Sequence, residues 1–238
     1  MQYKMGFDIE QVAKHWDRVA YKYDKENSHK LNPHNWRFIE GIKHIQYSQN
    51  EDIIILNLWS RTGNAIPYIR KKLPNSKIYN FEVSTNMINL AKKNYPKEIF
   101  KKTDLKKINI ENNIADYIIS PETLEHTPKP FILIKEFYRV LKPGGKLILS
   151  LPPRIADLHQ FIWETFIGGH GEGPRKGIPS RIVKNYLHEV GFNILQHKAI
   201  LLFPIGPIWF IELGNKIIDK LPLIRELGIM QFYICEKK

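Results

Sequence analysis

Beginning at Asp52, short apolar runs alternate with segments of helical periodicity, and this alternation restricts the fold more than any other feature of the chain. The runs are IIILNL (53–58), KIYNFEV (77–83), IFKK (99–102), ADYIIS (115–120) and KLILSL (146–151). Strands spaced by helices predict an α/β protein with a mostly parallel sheet covered on both faces. The first and fifth runs are apolar almost throughout, as strands buried on both sides require. Ser84 or Thr85 is placed to cap a helix carrying Met87, Ile88, Leu90 and Ala91. A second helix follows Pro130, with Ile134, Phe137, Tyr138 and Leu141 on one face. Lys142-Pro143-Gly144-Gly145 predicts a tight turn into the fifth strand. Ser180 is expected to cap a helix that turns Ile182, Val183, Tyr186, Leu187 and Val190 inward and stops at Gly191. FNILQHKAIL (192–201) and IMQFYICEK (229–237) supply a sixth and a seventh strand.

With 238 residues and no linker-like stretch, the chain is expected to form one domain over 1–238. Two segments stand outside the alternation: 152–179, rich in Pro, Gly and His, and the apolar insert 202–228. The N-terminus lacks the apolar stretch of a signal peptide. The weakly charged run from Ala199 to Leu213 is shorter than the roughly 20 residues of a spanning helix, and Pro204, Gly206 and Pro207 interrupt it. It leaves attachment to a membrane surface through 202–213 open. The single cysteine, Cys235, excludes an internal disulfide framework and a multi-cysteine zinc site, and agrees with a cytoplasmic location. The net charge of +12 would suit nucleic acid or acidic lipid. Its lysines are scattered, however, with no Arg-rich arm, so diffuse solubilising charge is the favoured reading over nucleic-acid binding.

A strand that runs into a glycine loop and a helix, with an acid about 20 residues on, suits an adenosine-containing ligand. Here IIILNL leads into WSRTGN, and Glu82 closes the next strand, where a carboxylate can accept both ribose hydroxyls. Asp104 follows the third strand, where an acid can receive an adenine amino group.

The set ILNLWSRTG (55–63), YNFEVSTNMINLAKKN (79–94), TDL (103–105), ADYIISPETLEH (115–126) and EFYRVLKPGGKLILSLP (136–152) resembles the class I S-adenosylmethionine-dependent methyltransferases. The resemblance runs from about Trp16 to Phe192 and is to the group with small-molecule O- and C-methyltransferases of the ubiquinone-pathway type. It implies a Rossmann-like, seven-stranded, mostly parallel sheet flanked by helices. HWDRVAYKYD (15–24) is similar to the N-terminal helix that covers the cofactor in such enzymes, within a helical cover over 8–48 that includes Tyr23. The resemblance places Asn57, Trp59, Ser60 and Gly63 at the methionine part of S-adenosylmethionine and Glu82 at its ribose. Val83 and Met87 would flank the adenine, Asp104 and Leu105 would reach its edge, and Ser120, Pro121 and Glu122 would lie beside the sulfonium.

One departure from the family stands out. Its loop usually reads acidic residue, x, Gly, x, Gly, x, Gly, and here those positions are Asn57, Trp59, Arg61 and Gly63. Glycine lets the backbone turn sharply and approach a ligand without a Cβ in the way. An indole and a guanidinium in its place are expected to narrow the pocket or shift the cofactor, and Asn57 removes a charge that would favour a cationic ligand.

Methyl transfer mainly requires alignment and exclusion of water, with a base for a hydroxyl acceptor. His126 and Glu122, after the fourth strand, and His170 in the irregular segment are the candidates for that chemistry. His159, His170 and Glu172 have spacing too irregular to indicate a metal site, and no metal is expected. The leading reading is an S-adenosylmethionine-dependent methyltransferase acting on a small or lipid-like molecule, with 152–179 as a lid and 202–228 as an apolar wall, both on the acceptor side. A catalytically silent binding or scaffolding protein of the same fold is the alternative. An RNA methyltransferase comes third.

Overall fold

A computed structural model describes residues 3–27, 35–46, 52–154, 156, 157, 173–202 and 207–238. The helices are α1 (Ile9–Asn27), α2 (Trp36–Lys43), α3 (Ile66–Lys72), α4 (Thr85–Asn94), α5 (Pro130–Val140), α6 (Ser180–Val190) and α7 (Ile208–Lys220). The strands are β1 (Ile54–Leu58), β2 (Lys77–Glu82), β3 (Ile99–Lys102), β4 (Ala115–Pro121), β5 (Leu141–Leu151), β6 (Phe192–Ile200) and β7 (Met230–Lys237). They form one seven-stranded sheet in the order β3-β2-β1-β4-β5-β7-β6. β1 to β5 pair in parallel, and β7 runs antiparallel between β5 and β6. Sequence order reverses at β1, whose two neighbours are β2 and β4, so the crevice at their carboxyl ends is the topological switch point where open α/β sheets take ligands.

Alternation along the strands divides the core. Leu56, Leu58, Ile118, Leu147, Leu149, Tyr233 and Cys235 are buried toward the α5 and α6 face. Ile55, Tyr117, Ile119, Ile148 and Ile234 are buried toward α2 and α3. Two asparagines in the middle of the sheet are joined by one side-chain hydrogen bond. Asn57 Nδ2 donates to Asn80 Oδ1 at 2.8 Å, and Asn80 Nδ2 to the Ile99 carbonyl at 3.1 Å, which links β1, β2 and β3 side by side.

The expected strands appear within about one residue of the expected bounds, β5 excepted. The KPGG turn is an excursion inside β5: Leu141 pairs with Ala115 and Lys146 with Tyr117, so residues 142–145 loop out with Gly144 at φ +75°. Leu141 accordingly belongs to β5 and not to the preceding helix, since the residue before a proline disfavours helical geometry and Lys142 precedes Pro143. Ser84 caps α4 by accepting from the Met87 N–H at 3.0 Å. Ser180, by contrast, is the first residue of α6, and Pro179 holds the cap position without a side-chain bond.

The N-terminal cover is formed by α1 and α2. Asp17 on α1 accepts from Ser84 Oγ at 2.6 Å and from the Asn86 N–H at 2.9 Å, and Asp24 accepts from the Thr62 hydroxyl and from Asn94. These bonds lay α1 across the carboxyl edge of β1 and β2, facing the loop that follows β1. In the insert, α7 buries Ile211 and Ile218 and exposes Trp209, Leu213, Lys216 and Lys220 along one stripe. Ile211 joins Ile200, Leu201, Met230 and Phe232 in a small core of its own.

His197 on β6 stacks on Tyr233 at 4.5 Å and 9°, with Nε2 at 2.9 Å from Gln231 Oε1. Burial, then the charge of Lys184, lowers its pKa to about 4. Above the unfolded-state pKa of about 6.5 neither state of this group is protonated. As the pH falls from there toward 4, the unfolded chain binds a proton that the native one refuses, and stability declines. Urea midpoints for the parent and His197→Gln should therefore converge as the pH falls from 7 to 4.5; parallel curves would show that His197 adds nothing to the acid slope.

Candidate functional site

The loop after β1 turns through residues with unusual backbone. Trp59 and Arg61 have φ of +61° and +51°, and Gly63 follows at +93°. Only Gly63 adopts this conformation freely, and a Cβ on it would lie 2.6 Å from the Tyr95 ring. The Ser60 N–H donates to the Phe81 carbonyl at 3.0 Å and the Gly63 N–H to the Ser60 carbonyl at 2.8 Å, which stitches the loop to β2 and to itself. Glu82 ends β2 with 0% exposure. Its Oε2 accepts the Arg61 N–H at 2.8 Å, and its Oε1 accepts those of Val83 at 2.8 Å and Ser84 at 3.1 Å.

Above the loop is an aromatic box. The Arg61 guanidinium lies 3.4 Å from the centroid of the Trp16 ring and 4.1 Å from that of Trp59, with Tyr23 at 5.9 Å. Trp59 stacks on His126 at 5.1 Å and 17°, and Trp16 meets Trp59 and His126 edge-on. Trp16, Tyr23, Trp59, Arg61 and His126 are all buried.

His126 belongs to a short 3-10 turn, Leu124–His126, after β4. Its Nδ1 lies 3.0 Å from the Pro174 carbonyl oxygen. A carbonyl only accepts, so Nδ1 carries the proton and Nε2 keeps its lone pair. Burial, then the nearby Arg61 charge, pushes the pKa well below 6.5, which leaves a neutral imidazole at physiological pH. The Lys176 N–H also donates to the Glu125 carbonyl at 2.9 Å. Residues 174–176, within the expected lid, are therefore fastened over this turn.

Glu122 has φ +48°, its N–H donates to the Ser150 carbonyl at 2.7 Å, and its carboxylate pairs with Arg37 of α2. Arg37 also reaches the Tyr23 hydroxyl at 3.4 Å. Among the described residues, Asn57 Oδ1, Ser60 Oγ, Ser120 Oγ and Trp59 Nε1 are buried without a hydrogen-bond partner. Val83, Met87 and Leu105 are buried around the crevice. Asp104 is exposed and accepts from the Lys106 and Lys107 N–H groups at 2.9 and 3.3 Å, so its carboxylate is engaged by its own turn. His170, with His159 and Glu172, lies outside the described residues.

The structure thus brings Asn57, Trp59, Ser60, Gly63, Glu82, Ser120, Glu122, His126 and Tyr23 to one edge of the sheet. Sequence reasoning missed Trp16 and Arg37. Trp16 lay within the recognised cover helix, and an aromatic there, seven positions from Tyr23 and so on the same helix face, was a usable signal. Arg37 had none, because its partner is 85 residues away.

Replacing Glu82 by Ala would orphan three buried amides at once. The expected loss of folding stability is roughly 3 kcal/mol, since hydrogen bonds to charged groups contribute about 1.5–3 kcal/mol each and the orphaned donors share their loss. Denaturant titration checks it, and a loss under about 1 kcal/mol would show that the loop does not depend on this carboxylate.

Known proteins agree with this arrangement. A family model described as a methyltransferase domain matches residues 57–149. A malonyl-[acyl-carrier protein] O-methyltransferase of Priestia megaterium is 33% identical over 103 residues, covering 42% of this chain and 37% of that protein. The ubiquinone/menaquinone biosynthesis C-methyltransferase UbiE of Desulfotalea psychrophila is 24% identical over 174 residues, covering 71% of this chain and 66% of that protein. The chain therefore spans less than two thirds of the length of either relative. Among solved structures, the [4+2]-cyclase SpnF superposes with a TM-score of 0.71 at 14% identity, over 98% of both chains. The chain thus has the class I methyltransferase fold, and its middle segment resembles a methyltransferase domain.

Proposed function

We propose that the chain transfers the methyl group of S-adenosylmethionine to a small or lipid-like acceptor. The observation that carries this reading is the group of buried polar atoms at the carboxyl ends of β1 and β4. Asn57 Oδ1, Ser60 Oγ and Ser120 Oγ have no partner among the described residues, although a buried polar group left unpaired costs about 1–3 kcal/mol. A polar ligand at the switch point would complete them. The resemblance of 57–149 to a methyltransferase domain favours S-adenosylmethionine as the donor, and the small-molecule or carrier-bound acceptors in the relatives' names favour the acceptor class.

As the residues stand, the donor does not fit. The carboxylate expected at its ribose is buried on three backbone amides, and the Trp59 and Arg61 side chains occupy the space that glycines would leave. What the chain contributes on its own is clear at His126: a neutral imidazole, its tautomer held by the Pro174 carbonyl, with Nε2 available to take a proton from an acceptor hydroxyl. Glu122, paired with Arg37, is better placed to hold α2 against β4 than to move a proton. For a lipid-like acceptor, α7 supplies exposed Trp209 (66%) and Leu213 (45%) next to Lys216 and Lys220, a face suited to an anionic membrane surface. Among the described residues no helix is long and apolar enough to cross a membrane. The buried, unpaired thiol of Cys235 accords with action in the cytoplasm.

The same loop favours a second reading, a member of the fold that binds without transferring a methyl group. Calorimetric titration with S-adenosylmethionine, followed by label transfer from the donor to malonyl thioesters and quinols, separates the two. Under the methyltransferase reading the donor binds and label appears in one acceptor class. His126→Gln should then lower kcat about a hundredfold for a hydroxyl acceptor, with the donor Kd unchanged. Donor binding with no transfer to any acceptor would favour the second reading.

A further inference from the structure

Trp59 and Arg61 hold left-handed backbone although both carry side chains, and each such residue costs about 1–2 kcal/mol relative to ordinary geometry. Something must offset that strain. The Arg61 guanidinium supplies it, packed between Trp16 and Trp59 and buried with them. A desolvated contact of this kind contributes about 2 kcal/mol or more. Two of the rings around the guanidinium, Trp16 and Tyr23, belong to α1 and not to the loop. The contact therefore fastens the cover helix to the crevice floor.

We propose that Arg61 is an internal plug: its guanidinium occupies an aromatic box built for an organic cation, and so holds the donor crevice shut. This rests on the methyltransferase reading above. The box of Trp16, Trp59 and Tyr23 attracts a cation through the faces of its rings. S-adenosylmethionine carries one at its sulfonium, and Arg61 competes for the same environment from within the chain. Like charge adds to the exclusion, because a guanidinium left in the crevice disfavours a second cation there. The demethylated product, whose sulfur is a neutral thioether, does not feel that repulsion at the sulfur.

The plug also covers the base. Trp59 contacts Arg61 on one side and stacks on His126 on the other. Withdrawal of Arg61 loosens Trp59, so one movement of the loop under α1 opens the crevice and uncovers the imidazole together. In the closed form neither is accessible. Donor affinity is then reduced by the fraction of molecules that are open.

The test uses the whole chain. The parent protein and Arg61→Met, which keeps the length of the stem and loses the charge, are titrated calorimetrically with S-adenosylmethionine and with S-adenosylhomocysteine. Hydrogen exchange of 9–27 is followed without ligand. The plug predicts donor binding at least about tenfold tighter in Arg61→Met, a smaller gain for the product, and faster exchange in α1. Should Arg61→Met fail to fold, Arg61→Gln, which keeps a polar head group and loses the charge, leaves the box intact and should tighten donor binding in the same direction. Donor binding by the parent that is unchanged or weakened in the variant overturns the plug and leaves the methyltransferase reading standing. Absence of binding to either ligand at millimolar concentration, in parent and variant alike, overturns both.

Discussion

The Glu82 carboxylate accepts three backbone N–H groups, from Arg61, Val83 and Ser84, and the loop side of the crevice is positioned from it. A buried carboxylate is tolerated when its oxygens are filled by hydrogen bonds, and amides of the main chain fill them without a countercharge. The bond from Arg61 pulls the loop after β1 over the end of β2. The bonds from Val83 and Ser84 fix the start of α4, whose cap Ser84 also meets Asp17 of α1. Loop, α4 and cover helix are thereby held to one atom group. Once the Arg61 backbone is drawn down onto Glu82, its side chain can only rise toward Trp16, which sets the position of the box.

Much of the fold was legible because strands and helices are local patterns. Near-continuous burial in β1 and the second half of β5, the Ser84 cap and the stop at Gly191 are written within a few residues of where they act. Errors arose where two local signals compete. Pro143 ended α5 early and turned KPGG into an excursion inside β5, and Pro179 displaced Ser180 from the cap. The site was legible as a set of positions and less so as a set of contacts. Asn57, Trp59, Glu82, Ser120 and His126 do converge, as strand order requires of residues at strand ends. What Glu82 and Asp104 bond to could not be read, because an acid after a strand serves a ligand or its own backbone with the same sequence. The Arg37–Glu122 pair and the Trp16–Arg61 contact join segments far apart in the chain, and no local pattern encodes them.

Among the described residues, backbone strain gathers at the carboxyl edge of the sheet, where Leu201 after β6 joins it, with Asn113 before β4 the exception. Of the non-glycine residues with positive φ, Trp59, Arg61, Leu105 and Glu122 all follow the ends of β1, β3 or β4. Such residues persist only where surrounding contacts over-determine them, and they gather where a site is shaped. The contacts here are identifiable: Glu82 for the Arg61 backbone, the Ser150 carbonyl for Glu122, and the Thr103 hydroxyl for Leu105. The edge is built against its own conformational preference, as expected of a functional surface and not of a loop that merely closes a sheet.

A loop that had simply lost its ligand would relax toward unstrained geometry. This one stays strained while two aromatic rings of α1 cover it and a guanidinium fills the space between helix and loop. The polar atoms beneath it, Asn57 Oδ1, Ser60 Oγ and Ser120 Oγ, remain unpaired among the described residues. Filling them would stabilise the protein without any change of fold. The arrangement therefore combines a cover that is well satisfied with a floor that is not. A ligand able to reach the floor gains those hydrogen bonds, and it must overcome the contacts between Arg61 and the rings above it. The balance between those two terms, and not the sheet beneath them, governs whether this crevice is open.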